Sequence, residues 1–278
     1  MELKRGELLL AKNMKRKTAW QIAAQEFRFE LLEKLWAWAK EEQLEPNKLK
    51  NKMLLAKDKY GNTAFHLAAE SGNLRALELL WSWAKDVQLK PAELLLLQND
   101  YRYTAWQLAA YSVHLEVLKK LWEWAKEVQL NPNQLLLAKD EYGYTAWHRA
   151  AVRGNVVALE TLWSWAKEEE INPDDLKNRW LLAKNKTGET AWNMAAVGKN
   201  EEILKKLCVW AKELKLNRNE LKNKLLLAKD KYGYTVWHRA AERGNLQALE
   251  TLQSWAKEAG LEKDELLLAQ NKLGFSDR

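Results

Sequence analysis

The chain has 278 residues, 47% of them hydrophobic and 30% charged, with a formal net charge of +7. That balance excludes a disordered polyelectrolyte, and the longest apolar runs, such as Leu94 to Leu97, are far too short to span a bilayer. The single cysteine, Cys208, excludes a disulfide framework or a cysteine zinc cluster within the chain.

The amino terminus, Met1-Glu2-Leu3-Lys4-Arg5, opens without an apolar run of signal-peptide length, so the expected location is intracellular, cytoplasmic or nuclear. Downstream, a threonine followed by a small residue and an aromatic ring recurs at Thr18, Thr63, Thr104, Thr145, Thr190 and Thr235, in steps of 45, 41, 41, 45 and 45 residues. A fixed period of this kind means stacked copies of one small unit. Six copies are expected in one continuous array over residues 1–278, with a truncated seventh from about residue 270, around Lys272-Leu273-Gly274-Phe275.

Each copy reads in three parts. The first is a short helix, as in Thr145-Ala146-Trp147-His148-Arg149-Ala150-Ala151. Threonine is a good N-cap, and the third residue after it is Gln21 or Gln107, His66, His148 or His238, or Asn193, each able to return a hydrogen bond to the turn. The paired alanines allow close helix approach, and Gly72, Gly154 and Gly244 suit a left-handed helix stop.

The second part is a longer helix, from Asn73 to about Val87 in one copy. Leu74, Leu77, Leu80, Trp81 and Ala84 form one apolar stripe, and Ala76, Leu79 and Trp83 a second on roughly the opposite side. A helix that is apolar on two sides must be sandwiched between neighbours. The sixteen tryptophans therefore read as core rather than as a ligand cage.

The third part starts at Pro46, Pro91, Pro132 and Pro173, all at one equivalent position, which predicts a third short helix with proline in its first turn. The longer copies carry an insert here, at Lys50-Asn51-Lys52, Lys177-Asn178-Arg179 or Lys222-Asn223-Lys224. Four extra residues are about one α-helical turn, so the expectation is the same helix lengthened by a turn. Turns with Gly61, Gly143, Gly188, Gly233 and Gly274 join the copies.

The segment Asp140-Glu141-Tyr142-Gly143-Tyr144-Thr145-Ala146-Trp147-His148-Arg149-Ala150-Ala151-Val152-Arg153-Gly154-Asn155, with a leucine-rich helix after it, resembles the ankyrin-repeat pattern over nearly every position. The resemblance extends to all six copies. Alanine or valine stands where that family has proline, and each unit is 8 or 12 residues longer than the family's 33. It implies an all-α solenoid of about six repeats, each with two antiparallel helices, a third short helix and a connecting β-turn or hairpin.

No Ser-His-Asp arrangement, Gly-rich phosphate cradle or paired-carboxylate constellation stands out, so neither an enzyme nor a cofactor or metal is expected. His66, His148 and His238 fall at the family's structural position, and Cys208 replaces a stripe tryptophan. The resemblance implies partners on the turn tips and on the exposed side of the first helices, a concave face. All eight tyrosines fall there: Tyr60, Tyr101, Tyr103, Tyr142, Tyr144, Tyr232 and Tyr234 at the turns, and Tyr111 on a first helix. Arg102, Arg149, Arg153, Arg239 and Arg243 join them. Tyrosine with arginine suits a binding surface for an acidic protein or peptide. A nucleic-acid partner, or an architectural role within a longer repeat protein, is the alternative, with Lys15, Arg16 and Lys17 adding to the basic surface.

Overall fold

The computed structural model describes residues 5–169, 171–198 and 201–261. The expected seventh copy lies outside them. The described residues are built from helices and turns, with no strand among them and one isolated bridge between Lys12 and Thr18. The chain divides into two compact units, 1–141 and 142–278.

In the first unit the first helices are Ala19–Gln25, Ala64–Ser71 and Ala105–Tyr111, and each packs side by side on the next. Closeness is possible because their facing residues are the alanine pairs Ala23–Ala24, Ala68–Ala69 and Ala109–Ala110, all buried. The second helices, Phe29–Glu41, Leu74–Asp86 and Leu115–Glu127, each pack on their own first helix. In the second unit, Ala146–Arg153, Ala191–Val197 and Val236–Glu242 form the first row, and Val156–Glu168, Glu201–Glu213 and Leu246–Glu258 the second.

Rings fill the space between the rows. Fourteen of the sixteen tryptophans are buried, and the other two, Trp38 and Trp165, are half-buried. The same set recurs from copy to copy. Trp83 lies 5.1 Å from Trp20 and stacks on Trp36 at 4.9 Å, and Trp124 stacks on Trp81 at 4.5 Å with an interplanar angle of 6°. In the second unit Trp210 sits 5.2 Å from Trp147 and 5.0 Å from Trp163. Trp83, Trp124 and Trp210 thus reach from their own second helix to the rings of the preceding copy, as the second apolar stripe requires.

The third segment differs from the expected lengthened α-helix. The shorter copies have α-helices Pro91–Leu96 and Pro132–Leu136. In the longer copies a single α-turn, Pro46–Lys48, Pro173–Asp175 or Arg218–Glu220, leads into a π-helix, Leu49–Leu54, Leu176–Leu181 or Leu221–Leu226. The reason lies in the apolar positions. Leu49, Met53 and Leu54 are all buried, as are Leu176, Trp180 and Leu181. An α-helix would swing the i+5 residue away from the face of residue i. A winding closed by i→i+5 bonds brings i+4 and i+5 back to straddle that face. The inserted Asn51, Lys52, Asn178, Arg179, Asn223 and Lys224 remain exposed.

The sixth second helix stops at Gly260 with φ 70°, but four others stop without glycine. Gln43, Gln88, Gln129 and Lys215 take left-handed backbone there, with φ of 51° to 55°. First helices stop at Gly72 and Gly154 with φ of 80° and 72°, whereas Phe27 and Val113 occupy the same place at 57° and 67°. In the fifth copy the glycine falls one residue earlier, and Gly198 is extended, with φ −71° and ψ 158°.

Candidate interaction face

The turn tips are built alike. An Asp or Asn side chain accepts the backbone N–H groups two and four residues on: Asp58 from Tyr60 and Asn62, Asn99 from Tyr101 and Tyr103, Asn185 from Thr187 and Glu189, and Asp230 from Tyr232 and Tyr234. Asn13 does the same for Lys15 and Lys17. These bonds run from 2.8 to 3.0 Å. Adjacent tips are then tied by backbone. The Lys59 N–H donates to Lys15 O, Asp100 to Tyr60 O and Glu141 to Tyr101 O in the first unit, and Lys186 to Tyr142 O and Lys231 to Thr187 O in the second, at 2.8 to 3.1 Å. The contact is so close at Gly61 (φ 77°) that a Cβ there would stand 2.4 Å from the Asp100 backbone nitrogen.

The candidate residues separate by their place in this frame. Tyr60, Tyr101, Tyr142 and Tyr232 share the position two residues after the Asp or Asn, and their rings are 40%, 38%, 50% and 51% exposed. Tyr103, Tyr144 and Tyr234 stand two further on and are half-buried. Tyr144 and Tyr234 lie edge-on to His148 and His238 at 5.9 and 5.8 Å, with the Arg149 and Arg239 guanidinium groups 4.3 and 4.7 Å over their rings. Arg239 also meets the carboxylates of Asp230, Glu189 and Glu242 at 2.5, 3.0 and 3.2 Å. Burial opposes its charge, yet these carboxylates hold its pKa above the ordinary value. Arg239 is therefore engaged inside its own unit. Arg102 is exposed and takes φ 60°, as Arg16 does at 57° in the first tip, where the other four tips have glycine. Arg153 and Arg243 are exposed near the ends of their first helices, and Tyr111 is half-buried.

In the first unit the frame brings Tyr60, Tyr101 and Tyr103 together, with ring centroids 6.4 Å apart at each step. In the second it does not join Tyr142 to Tyr232, because Thr187 of the intervening tip lies between their backbone bonds. The tip of the first copy carries a feature the sequence reading did not single out: Met14, at the apex of the Asn13–Lys17 turn, is wholly exposed.

Behind the tips, all six capping positions form the expected boxes. They also reach past their own helix, to a carbonyl at the end of the third segment and, for Gln21 and His66, to the following tip. Gln21 Nε2 donates to Ala56 O and Asn62 O, each at 2.9 Å, and His66 Nε2 to Leu97 O and Tyr103 O at 3.0 and 3.1 Å. Gln107 Nε2 donates to Ala138 O at 2.9 Å and His148 Nε2 to Ala183 O at 3.0 Å. The histidines thus spend Nδ1 as acceptor on the cap and Nε2 as donor on the neighbour. Burial holds His66 down at about 4, against its carbonyl partners, which favour the charged ring. Cys208 is buried and its thiol is pushed up to about 12, so it stays protonated. Among the described residues no three His, Cys, Asp or Glu side chains converge as a metal would require, and no helix is long and apolar enough to cross a membrane.

Residues 60–89, from Tyr60 at the second tip through both helices of that copy, match the family described as Ankyrin repeat. No curated protein matches the chain.

Proposed function

We propose, from the premise that this is an ankyrin-repeat chain, that it is an interaction scaffold whose tips and first helices hold a protein or peptide partner. One observation carries this reading. Four copies present a tyrosine at the same tip position, with 38% to 51% of it exposed, on a backbone frame that does not need the ring. The fifth copy keeps the frame with Thr187 there, so the ring is dispensable for the turn. Tyrosine gives large contact area at low entropic cost, which favours it in binding surfaces.

Tyr60, Tyr101, Tyr142 and Tyr232 therefore supply contact area, with Arg102 as an exposed cation next to Tyr101 and Arg153 and Arg243 exposed at the far ends of the first helices. Tyr144 with Arg149 and Tyr234 with Arg239 stiffen the tip behind the contact. Tyr103 and Tyr111, half-buried, border it.

The test is affinity capture from nuclease-treated lysate with the native chain and a variant carrying Tyr60→Ala, Tyr101→Ala, Tyr142→Ala and Tyr232→Ala. Far-ultraviolet circular dichroism should match between the two. The expected result is a protein that the native chain retains, that the variant loses, and that binds the native chain again once purified. Equal retention by both chains overturns the assigned face.

A further inference from the structure

Charge and rings are segregated along the tips of the first unit. The first tip carries Lys12, Lys15, Arg16 and Lys17, and the second Lys57 and Lys59. The only carboxylate in these two turns is Asp58, which is 2% exposed and turned inward on the Tyr60 and Asn62 N–H groups. Two bonds hold the tips side by side: Lys59 N–H to Lys15 O at 3.0 Å, and Lys12 Nζ to Lys57 O at 2.9 Å. Among the described residues Lys15 and Arg16 meet no carboxylate within ion-pair distance, and Met14, which precedes them in the turn, is wholly exposed. Lys57 pairs with Asp100 Oδ1 at 3.6 Å and Lys59 lies 4.6 Å over the Tyr60 ring, which leaves Lys15 and Arg16 as the adjacent cations that no carboxylate neutralises. Across the second and third tips the character changes to the row Tyr60, Tyr101 and Tyr103. Carboxylates stand beside this row. Asp100, with its side chain 60% exposed, adjoins Tyr60 and Tyr101, and Glu141 bonds through its N–H to Tyr101 O.

We propose that the first three tips bind an extended, Asp/Glu-rich peptide segment of a partner protein. Its carboxylates lie over Lys15, Arg16, Lys17 and Lys59, and an apolar side chain of the same segment rests on Tyr60, Tyr101 and Tyr103. The order follows from the surface: cations first, rings second. It also argues against a nucleic-acid strand. Such a strand carries a phosphate at every nucleotide and needs cations along the whole row of rings. Here the row carries the exposed Arg102, but Asp100 and Glu141 stand beside it and would face those phosphates. Met14 gives the methylene stems of the acidic end one apolar contact. The proposal rests on the tip-face reading above and names the chemistry that face selects.

The experiment uses the full chain and fluorescence anisotropy. The probes are short labelled peptides joining an Asp/Glu block to a Leu/Phe block, made in both chain directions, and labelled oligo(dT). One peptide direction is expected to bind, more weakly as salt rises. Lys15→Glu with Arg16→Glu should weaken it at least about tenfold, and Tyr101→Ala by about three- to tenfold. Lys186→Glu, on the fifth tip at the place Lys59 holds on the second, should leave it unchanged. The proposal is overturned if the charge-reversal variant binds like the native chain, or if oligo(dT) binds more tightly than either peptide. It is also overturned if neither peptide binds. In that last case a tyrosine variant that still loses its captured partner leaves the tip-face reading standing, and one that retains it removes both.

Discussion

Gln21, His66, Gln107, His148, Asn193 and His238 share one position, and four of them are seen bonding their own cap and a backbone carbonyl at the end of the third segment at once. The choice between glutamine and histidine there has a consequence in acid. The folded-state pKa of His66 lies near 4, below its ordinary 6.5, so unfolding takes up a proton between those values. Its contribution is whole above pH 6.5 and is lost as pH falls towards 4, to a limit of about 3 kcal/mol. His66→Gln, which copies Gln21 and Gln107, should keep the cap and remove this part of the acid sensitivity. Urea titrations of both chains at pH 7 and pH 4.5 test it, and parallel losses in the two chains would contradict it. Strain is legible at the same scale. Val113 is β-branched and holds φ 67° in a place where Gly72 and Gly154 sit without cost. Val113→Gly should raise stability by about 1 kcal/mol, seen as a higher urea midpoint at unchanged slope.

At the scale of the element, the π-helical inserts yield to a direct test. Removing residues 50–53 leaves Pro46-Asn47-Lys48 followed by Leu49 and then Leu54-Leu55-Ala56, nearly the sequence Pro132-Asn133-Gln134-Leu135-Leu136-Leu137-Ala138 of a shorter copy. The shortened chain should fold, with the segment α-helical, and lose about 2 kcal/mol with the burial of Met53. Failure to fold would mean that the wide turn is required, not tolerated. The first and second helices, their caps and the tryptophan core were readable from sequence, because capping chemistry and apolar period are local signals. The π winding was not. Over six residues the Leu49, Met53, Leu54 pattern fits a lengthened α-turn about as well, and only burial of both i+4 and i+5 decides. The second task of the capping residues was also hidden, since their partners are backbone carbonyls, which leave no mark on residue identity. Nor could the tyrosines be sorted in advance. The sequence places Tyr142 and Tyr144 alike, and only the Arg149 and His148 packing tells the presented ring from the braced one.

At the scale of the whole molecule, cohesion comes from nearest-neighbour contacts, so damage should stay near its source. Trp124 stacks on Trp81 and lies 6.3 Å from Phe65, joining the second and third copies. Trp124→Ala should cost about 3–5 kcal/mol. Amide hydrogen exchange should accelerate across those copies while the second helices of residues 142–278 keep their protection. Uniform acceleration throughout the chain would show a single cooperative block instead. Exposed Lys40–Asp86 and Lys85–Glu127 pairs, at 3.1 and 2.8 Å, repeat along the second helices of the first unit. Pairs of this exposure each contribute little, and salt should move the melting temperature far less than the indole change.

The tip frame is made of backbone N–H groups, carbonyls and one inward Asp or Asn side chain, so the residues between those fixed points are spelled independently of the stack. Asn13-Met14-Lys15-Arg16-Lys17, Asp58-Lys59-Tyr60-Gly61-Asn62 and Asn185-Lys186-Thr187-Gly188-Glu189 are three unlike texts set in the same rack. A lineage, or an engineer, can reset one tip without recasting its neighbours, provided the left-handed residue at the fourth place is kept. Copying a unit therefore duplicates the scaffold and the message separately: the scaffold must be preserved letter for letter, while the message is at liberty to drift towards a new reader.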